Sequence, residues 1–185
     1  QLPHERRMQA LRPLIEESAR LLRSTLPALV ELGLQLSDEP LRVYADATQL
    51  QQVLLNLCTN AWHSMTGGTG RIVIGLEPAA ADPVPGNGRA ARHARLWVAD
   101  DGCGMDAATR ARVFEPFFTT KAPGAGTGLG LAMVHGIMKD HNGAVLLSSE
   151  VNEGTTVRCF FPALQDDSVG QVEAKAVAPE GEGRR

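Results

Sequence analysis

At 185 residues the chain has room for one domain with a substantial core. With 43% hydrophobic and 21% charged residues and a net charge of −3, it has no strong field to recruit nucleic acid or an anionic membrane. No apolar run nears the roughly 18 residues that span a bilayer, and nothing at the start reads as a signal peptide. The three cysteines, Cys58, Cys103 and Cys159, are widely spaced and make neither a disulfide framework nor a zinc pattern, which favours a reducing, cytoplasmic setting.

The first dozen residues read as the end of something upstream. A helix is predicted over 13–25: Pro13 suits a first helical position, Leu14, Ile15, Leu21, Leu22 and Leu26 form its apolar face, and Pro27 stops it. Val30, Leu32, Leu34 and Leu36 alternate with small or polar neighbours, which predicts a half-buried strand, and Asp38-Glu39-Pro40 turns the chain into a short strand at 41–44. Asp46 caps the next helix and Gln49 completes a capping box. Leu50, Val53, Leu54, Leu57, Ala61 and Met65 then recur at helical spacing until Gly67-Gly68.

Strands are expected at 71–76 and 96–99, separated by a long surface connection at 78–92 rich in Pro, Gly and Ala. A short helix at 107–112 and a longer one at 129–140 follow, the latter ended by Asn142-Gly143. Two strands at 144–149 and 155–161 form a closing hairpin. From 165 the chain has no periodicity and reads as a linker or flexible tail. Cys58 and Cys159 fall within helical and strand patterns and are assigned to the core. This alternation predicts an α/β sandwich, one mixed sheet with helices on one face.

Four stretches carry chemistry. Asn56 and Asn60 lie four apart on one flank of the 46–65 helix with His63 close behind; their amides offer carbonyl oxygens to a hard cation and donors to phosphate. Asp100-Asp101-Gly102-Cys103-Gly104-Met105 follows a strand; a carboxylate at a strand end can accept from an exocyclic amine, and the glycines let backbone approach a planar base. Gly124-Ala125-Gly126-Thr127-Gly128-Leu129-Gly130-Leu131 opens a helix, where free backbone N–H groups attract anions. It is neither a P-loop, lacking Gly-Lys-Ser or Gly-Lys-Thr, nor a dinucleotide fingerprint, since no strand leads into it. Phe114-Glu115-Pro116-Phe117-Phe118-Thr119-Thr120-Lys121 has the makeup of a mobile lid, with Lys121 able to reach a phosphate.

In chain order and at these spacings they resemble the boxes of histidine kinase catalytic domains, members of the GHKL superfamily with gyrase-type, chaperone and mismatch-repair ATPases: 51–61 resembles the N box, 100–105 G1, 114–121 the F box and 126–131 G2. Glu153-Gly154-Thr155-Thr156 resembles the closing Gly-Thr motif. The resemblance implies the Bergerat fold, a mixed, mostly antiparallel sheet packed on one face by three helices, over residues 13–164. Residues 1–12 would end an upstream dimerisation and phosphoacceptor region, and 165–185 would be a linker or tail.

The resemblance also implies an ATP and Mg²⁺ site. Asn56 and Asn60 would be catalytic, Asn60 coordinating the metal. Asp100 would bind the adenine amino group, with Gly102, Gly104, Met105 and Thr155 beside it. Gly126, Thr127, Gly128, Leu129, Gly130 and Leu131 would meet the phosphates, with His63, Phe117 and Lys121 completing the site; Trp62 is assigned to packing. The superfamily's ATPases carry a water-activating glutamate where this chain has Asn56, which cannot act as a base, so phosphoryl transfer to a histidine is expected instead of hydrolysis.

The partners implied are a histidine-bearing dimerisation domain of the same kinase and a response regulator receiver domain. Nucleic acid and direct membrane contact are not expected, and the isolated domain would be a monomer unable to autophosphorylate alone. His4 is a poor phosphoacceptor candidate, and His135 and His141 are assigned structural roles. A nucleotide-binding regulatory module without kinase activity and an anti-sigma-type serine kinase are the competing readings.

Overall fold

The computed structural model describes residues 5–79, 92–120 and 128–164. Helix α1 (Leu11–Thr25) starts two residues before Pro13, and residues upstream of it, with no element expected, form a strand, β1 (Arg7–Ala10). β1 pairs antiparallel with β3 (Arg42–Ala45) in a two-stranded sheet apart from the main one. Leu11, Leu14, Ile15, Ser18, Ala19 and Leu22 make the buried stripe of α1. Leu21 was expected on that face but is 62% exposed, because at about 100° per residue it falls roughly 90° from the centre of the buried stripe.

The main sheet has five strands: β2 (Val30–Leu36), β4 (Gly70–Ala79), β5 (His93–Asp100), β6 (Ala144–Glu150) and β7 (Gly154–Pro162). Their order is β2-β4-β5-β7-β6, with β2 and β4 parallel and the other pairs antiparallel. The mixed, mostly antiparallel sheet is as expected. Strands β4 and β5 run into both ends of the region read as a connection; the part at 80–91 lies outside the described residues, as does the tail from 165.

Period-2 alternation puts every second residue on the helix side. Register then lines up Leu36, Leu76, Leu96, Cys159 and Val145 in one row, and Leu34, Ile74, Val98, Val157 and Leu147 in the next. The same face continues through Leu32, Ile72, Asp100, Thr155 and Ser149, where the row turns from apolar to polar halfway across. The 96–99 segment is a strand as expected, and it alternates: Leu96 and Val98 point inward while Trp97 is half-exposed on the outer face, paired with Gly75.

Helix α2 (Ala47–His63) buries Leu50, Val53, Leu54, Leu57, Cys58 and Ala61. Helix α4 (Gly130–Asp140) buries Val134, Ile137 and Met138. A 3-10 turn at Thr66–Gly68 follows α2, and the short helix α3 (Ala107–Arg110) stops two residues before its expected end. Cys58 and Cys159 are fully buried, and the desolvation pushes both thiols up to about 12.

Asp46 caps α2 by accepting from the Gln49 N–H at 3.1 Å. The return half of the capping box does not form: among the described residues the buried Gln49 Oε1 has no partner, and the Asp46 N–H instead donates to His141 Nε2 at 3.3 Å. His141 Nδ1 lies 2.8 Å from the Ile137 carbonyl, so Nδ1 donates and Nε2 is left to accept. The ring thus joins the start of α2 to the end of α4, in the structural role expected of it. His141→Phe keeps an aromatic of similar size and removes the acceptor, and should lower stability by about 1–3 kcal/mol, read as a shifted urea unfolding midpoint.

Candidate functional site

Once α2 has buried its apolar stripe, its flank faces α4 across a gap. Gln52, Asn56, Asn60 and Ser64 follow one another at four-residue spacing along that flank. The gap is a cavity of about 660 Å³ whose lining includes Asn56, Asn60, His63 and Ser64 from α2 and its cap. Gly104, Met105 and Thr155 line it from the sheet side, and Gly128, Gly130 and Leu131 from the start of α4. Asn60 sits against Gly130: a Cβ there would lie 3.2 Å from the Asn60 amide nitrogen. Among the described residues the Asn60 amide has no hydrogen-bond partner, which leaves its oxygen available to a ligand.

Asp100 ends the inward face of β5, beneath this cavity. Its Oδ1 accepts from the Gly102 N–H at 2.8 Å and from the Ser64 hydroxyl at 3.2 Å, and the Thr155 N–H also donates to the carboxylate. Burial nevertheless prevails and pushes the carboxyl above its ordinary range, against these donors, and the neighbouring Asp101 charge adds to the rise. Asp101 itself turns away, accepting from the Arg71 N–H at 2.8 Å. The pairing of Asp100 with Thr155 depends on Gly154, whose φ of 95° no L side chain adopts comfortably and whose Cβ would overlap the Asp100 carbonyl. Ser149 Oγ, 2.7 Å from Thr155 Oγ1, continues the polar row.

Arg112 shapes the segment after α3: its guanidinium pairs with Glu115 at 3.0 Å and lies 4.4 Å from the centre of the Phe118 ring. Phe114 packs on the His135 ring, 5.4 Å between centres. Phe117 has φ of 66°, costly for a large side chain, and its N–H donates to the Gly128 carbonyl at 3.0 Å. Gly128, itself at φ 69°, leaves no space between its Cα and that backbone.

Most of the expected residues therefore meet at one cavity: Asn56, Asn60, His63, Gly104, Met105, Gly128, Gly130, Leu131 and Thr155 line it, while Asp100 is outside the lining and bonds to two residues of it, Ser64 and Thr155. Gly102 lies on an adjoining pocket of about 210 Å³ with Asp101 and Cys103. Phe117 was expected in the site but is 75% exposed and outside the lining, because the turn at Phe117 directs Phe118 inward instead. Leu129, 37% exposed, is likewise not in the lining. Lys121, Gly126 and Thr127 lie outside the described residues. Trp62 packs against the core, as assigned. Sequence reading missed Ser64, although its spacing of four from Asn60 carried the signal, and missed Phe118, which nothing in the sequence separates from Phe117.

The chain belongs to the family of histidine kinase-, DNA gyrase B- and HSP90-like ATPases, whose model matches residues 45–165. Membership implies ATP binding. The sensor kinase CckA of Brucella abortus is 38% identical over 172 residues, covering 87% of this chain and 18% of that protein. The catalytic domain of the histidine kinase ThkA, in a nucleotide-free form, superposes with a TM-score of 0.68 at 31% identity, over 85% of this chain and 95% of that one. ThkA has also been solved with the response regulator TrrA; that pair matches at a TM-score of 0.66 and 26% identity, over 86% of this chain and 42% of that one. Full-length ShkA in complex with AMPPNP gives a TM-score of 0.70 at 25% identity, over 89% of this chain and 32% of that one. The chain spans 17–23% of the length of the first curated relatives it matches. Among the described residues no helix is long and apolar enough to cross a membrane.

A carboxyl raised by burial binds more protons folded than unfolded between its two pKa values, so its contribution to stability falls as pH rises through that window and stays unfavourable above it. Asp100→Asn should therefore be at least as stable as the parent at pH 7. Its advantage in urea midpoint should shrink as the pH is lowered through the raised pKa and disappear below the ordinary value of 3.8, where the carboxyl is neutral both folded and unfolded.

Proposed function

We propose that this chain is the ATP-binding catalytic domain of a two-component sensor histidine kinase and transfers the γ-phosphate to a histidine on a separate dimerisation domain. The observation that carries the reading is the row Leu32–Ile72–Asp100–Thr155–Ser149, which turns polar under the cavity where the amide flank of α2 faces α4. Asp100 accepts from the adenine amino group, with Thr155 and Ser64 beside it, and the start of α4 presents backbone N–H groups to the phosphates. Phe118, held by Arg112, covers part of the cavity and reduces the water reaching it.

The residues fit Mg²⁺. Among the described residues there is no cluster of three His, Cys, Asp or Glu to hold a metal alone, but Mg²⁺ needs only one or two protein oxygens beside substrate phosphates and water. Asn60 supplies such an oxygen; when bound, the ion neutralises phosphate charge. Asn56 has no basic atom to activate water, which favours transfer over hydrolysis. The histidine-bearing domain and a receiver domain are the protein partners, the setting is cytoplasmic, and the domain alone is a monomer.

The decisive experiment supplies γ-labelled ATP to the chain together with a histidine-bearing helical hairpin of a sensor kinase. Label should appear on the hairpin histidine and not on this chain; label on a serine, or none with nucleotide bound, would contradict the reading. By titration Asp100→Asn should weaken adenine nucleotides by roughly 10-fold or more, and Asn60→Ala should abolish the dependence on Mg²⁺. Unchanged affinity in Asp100→Asn would reject the adenine assignment.

A further inference from the structure

One residue on the amide flank has no role in the reading above. Gln52 is half-buried one helical turn before Asn56, and its Nε2 donates to Asn56 Oδ1 at 2.8 Å. The other end of the Asn56 amide is held loosely: Nδ2 lies 3.4 Å from the Gly130 carbonyl and 3.4 Å from Met133 Sδ, a weak acceptor. An asparagine amide turned by 180° about its last torsion fills almost the same volume with donor and acceptor exchanged. The tight contact therefore decides which end of Asn56 meets a ligand.

We propose that Gln52 is a positioning residue that fixes the Asn56 amide with its NH₂, not its carbonyl oxygen, turned toward the cavity. The inference deepens the nucleotide reading and rests on it. With its oxygen committed to Gln52, Asn56 serves as a donor to phosphate oxygen, while Asn60, whose oxygen is uncommitted, is the amide left to coordinate a cation. Along α2 the rise of 1.5 Å per residue puts Asn56 about 6 Å beyond Asn60 and about 12 Å from Ser64, at the end of the cavity opposite Asp100. Asn56 therefore meets the terminal phosphate, and losing its orientation should affect triphosphate and diphosphate differently.

The test compares Mg·AMP-PNP and Mg·ADP binding to the full chain and four variants, Gln52→Met, Gln52→Glu, Asn56→Ala and the Asn56→Ala, Gln52→Glu double variant. Gln52→Met, unbranched and of similar length, should weaken AMP-PNP roughly two- to tenfold, the range of one hydrogen bond, and leave ADP unchanged. Gln52→Glu can only accept; it should draw the Asn56 NH₂ to itself, turn the carbonyl inward and weaken AMP-PNP more than Met does. In an Asn56→Ala background Gln52→Glu should cost nothing further, which separates orientation from plain charge repulsion. Equal losses for ADP and AMP-PNP, or a Glu penalty that persists without Asn56, overturn the proposal. Should the parent chain bind neither nucleotide, the nucleotide reading fails. The side-chain amide signals of Asn56 in ¹⁵N-labelled chain then still decide on Gln52: they must move in Gln52→Met, and stationary signals overturn its role.

Discussion

Helix α2 has to satisfy two neighbours at once, and the site depends on that division. Its apolar stripe, from Leu50 through Leu54 and Leu57 to Ala61, is driven against the sheet by burial. A helix fixed by one face has its other faces fixed too. Asn56, Asn60 and Ser64 are carried to the gap opposite α4 by that packing. The His141 link between the start of α2 and the end of α4 then holds the width of that gap at its far end. Packing of ordinary hydrophobic residues thus sets the positions of the amides.

The sheet provides the complementary element by placing a carboxylate where the pattern calls for an apolar side chain. Asp100 follows Leu96 and Val98 on the inward face but is half-buried where they are buried, with three donors offsetting only part of the desolvation penalty. A stable fold alone would favour a neutral side chain there. On the proposed reading the charge serves recognition: a half-buried carboxylate with no cation partner among the described residues is a strong, oriented acceptor for a neutral amine. Stability and recognition are therefore opposed at this residue.

Much of this was legible in the sequence, because the chemistry-bearing residues sit in strong periodic elements. The spacing of Asn56 and Asn60 on a helix with a clear apolar stripe placed them on its flank, and the short apolar run at 96–99 placed Asp100 at a strand end. The failures have specific causes. Leu21 was counted by hydrophobicity and not by angle. The β1 strand and the isolated bridge of Val43 to Ala163 are non-local pairings, which short polar segments do not announce. Phe117 and Phe118 are adjacent and identical in type, and only a left-handed backbone turn decides which one enters the cavity. The missing half of the capping box had a tertiary cause too, since a histidine 95 residues away replaced Gln49 at the Asp46 N–H.

The central claim is that one side of α2 and one row of the sheet converge on a single nucleotide. A crystal structure of the chain with Mg²⁺ and AMP-PNP tests it most directly. The account predicts the base amino group on the Asp100 carboxylate beside Thr155, with the phosphates between Asn60 and the Gly128–Gly130 turn. Nucleotide bound elsewhere, or bound in the cavity with its base far from Asp100, would contradict it.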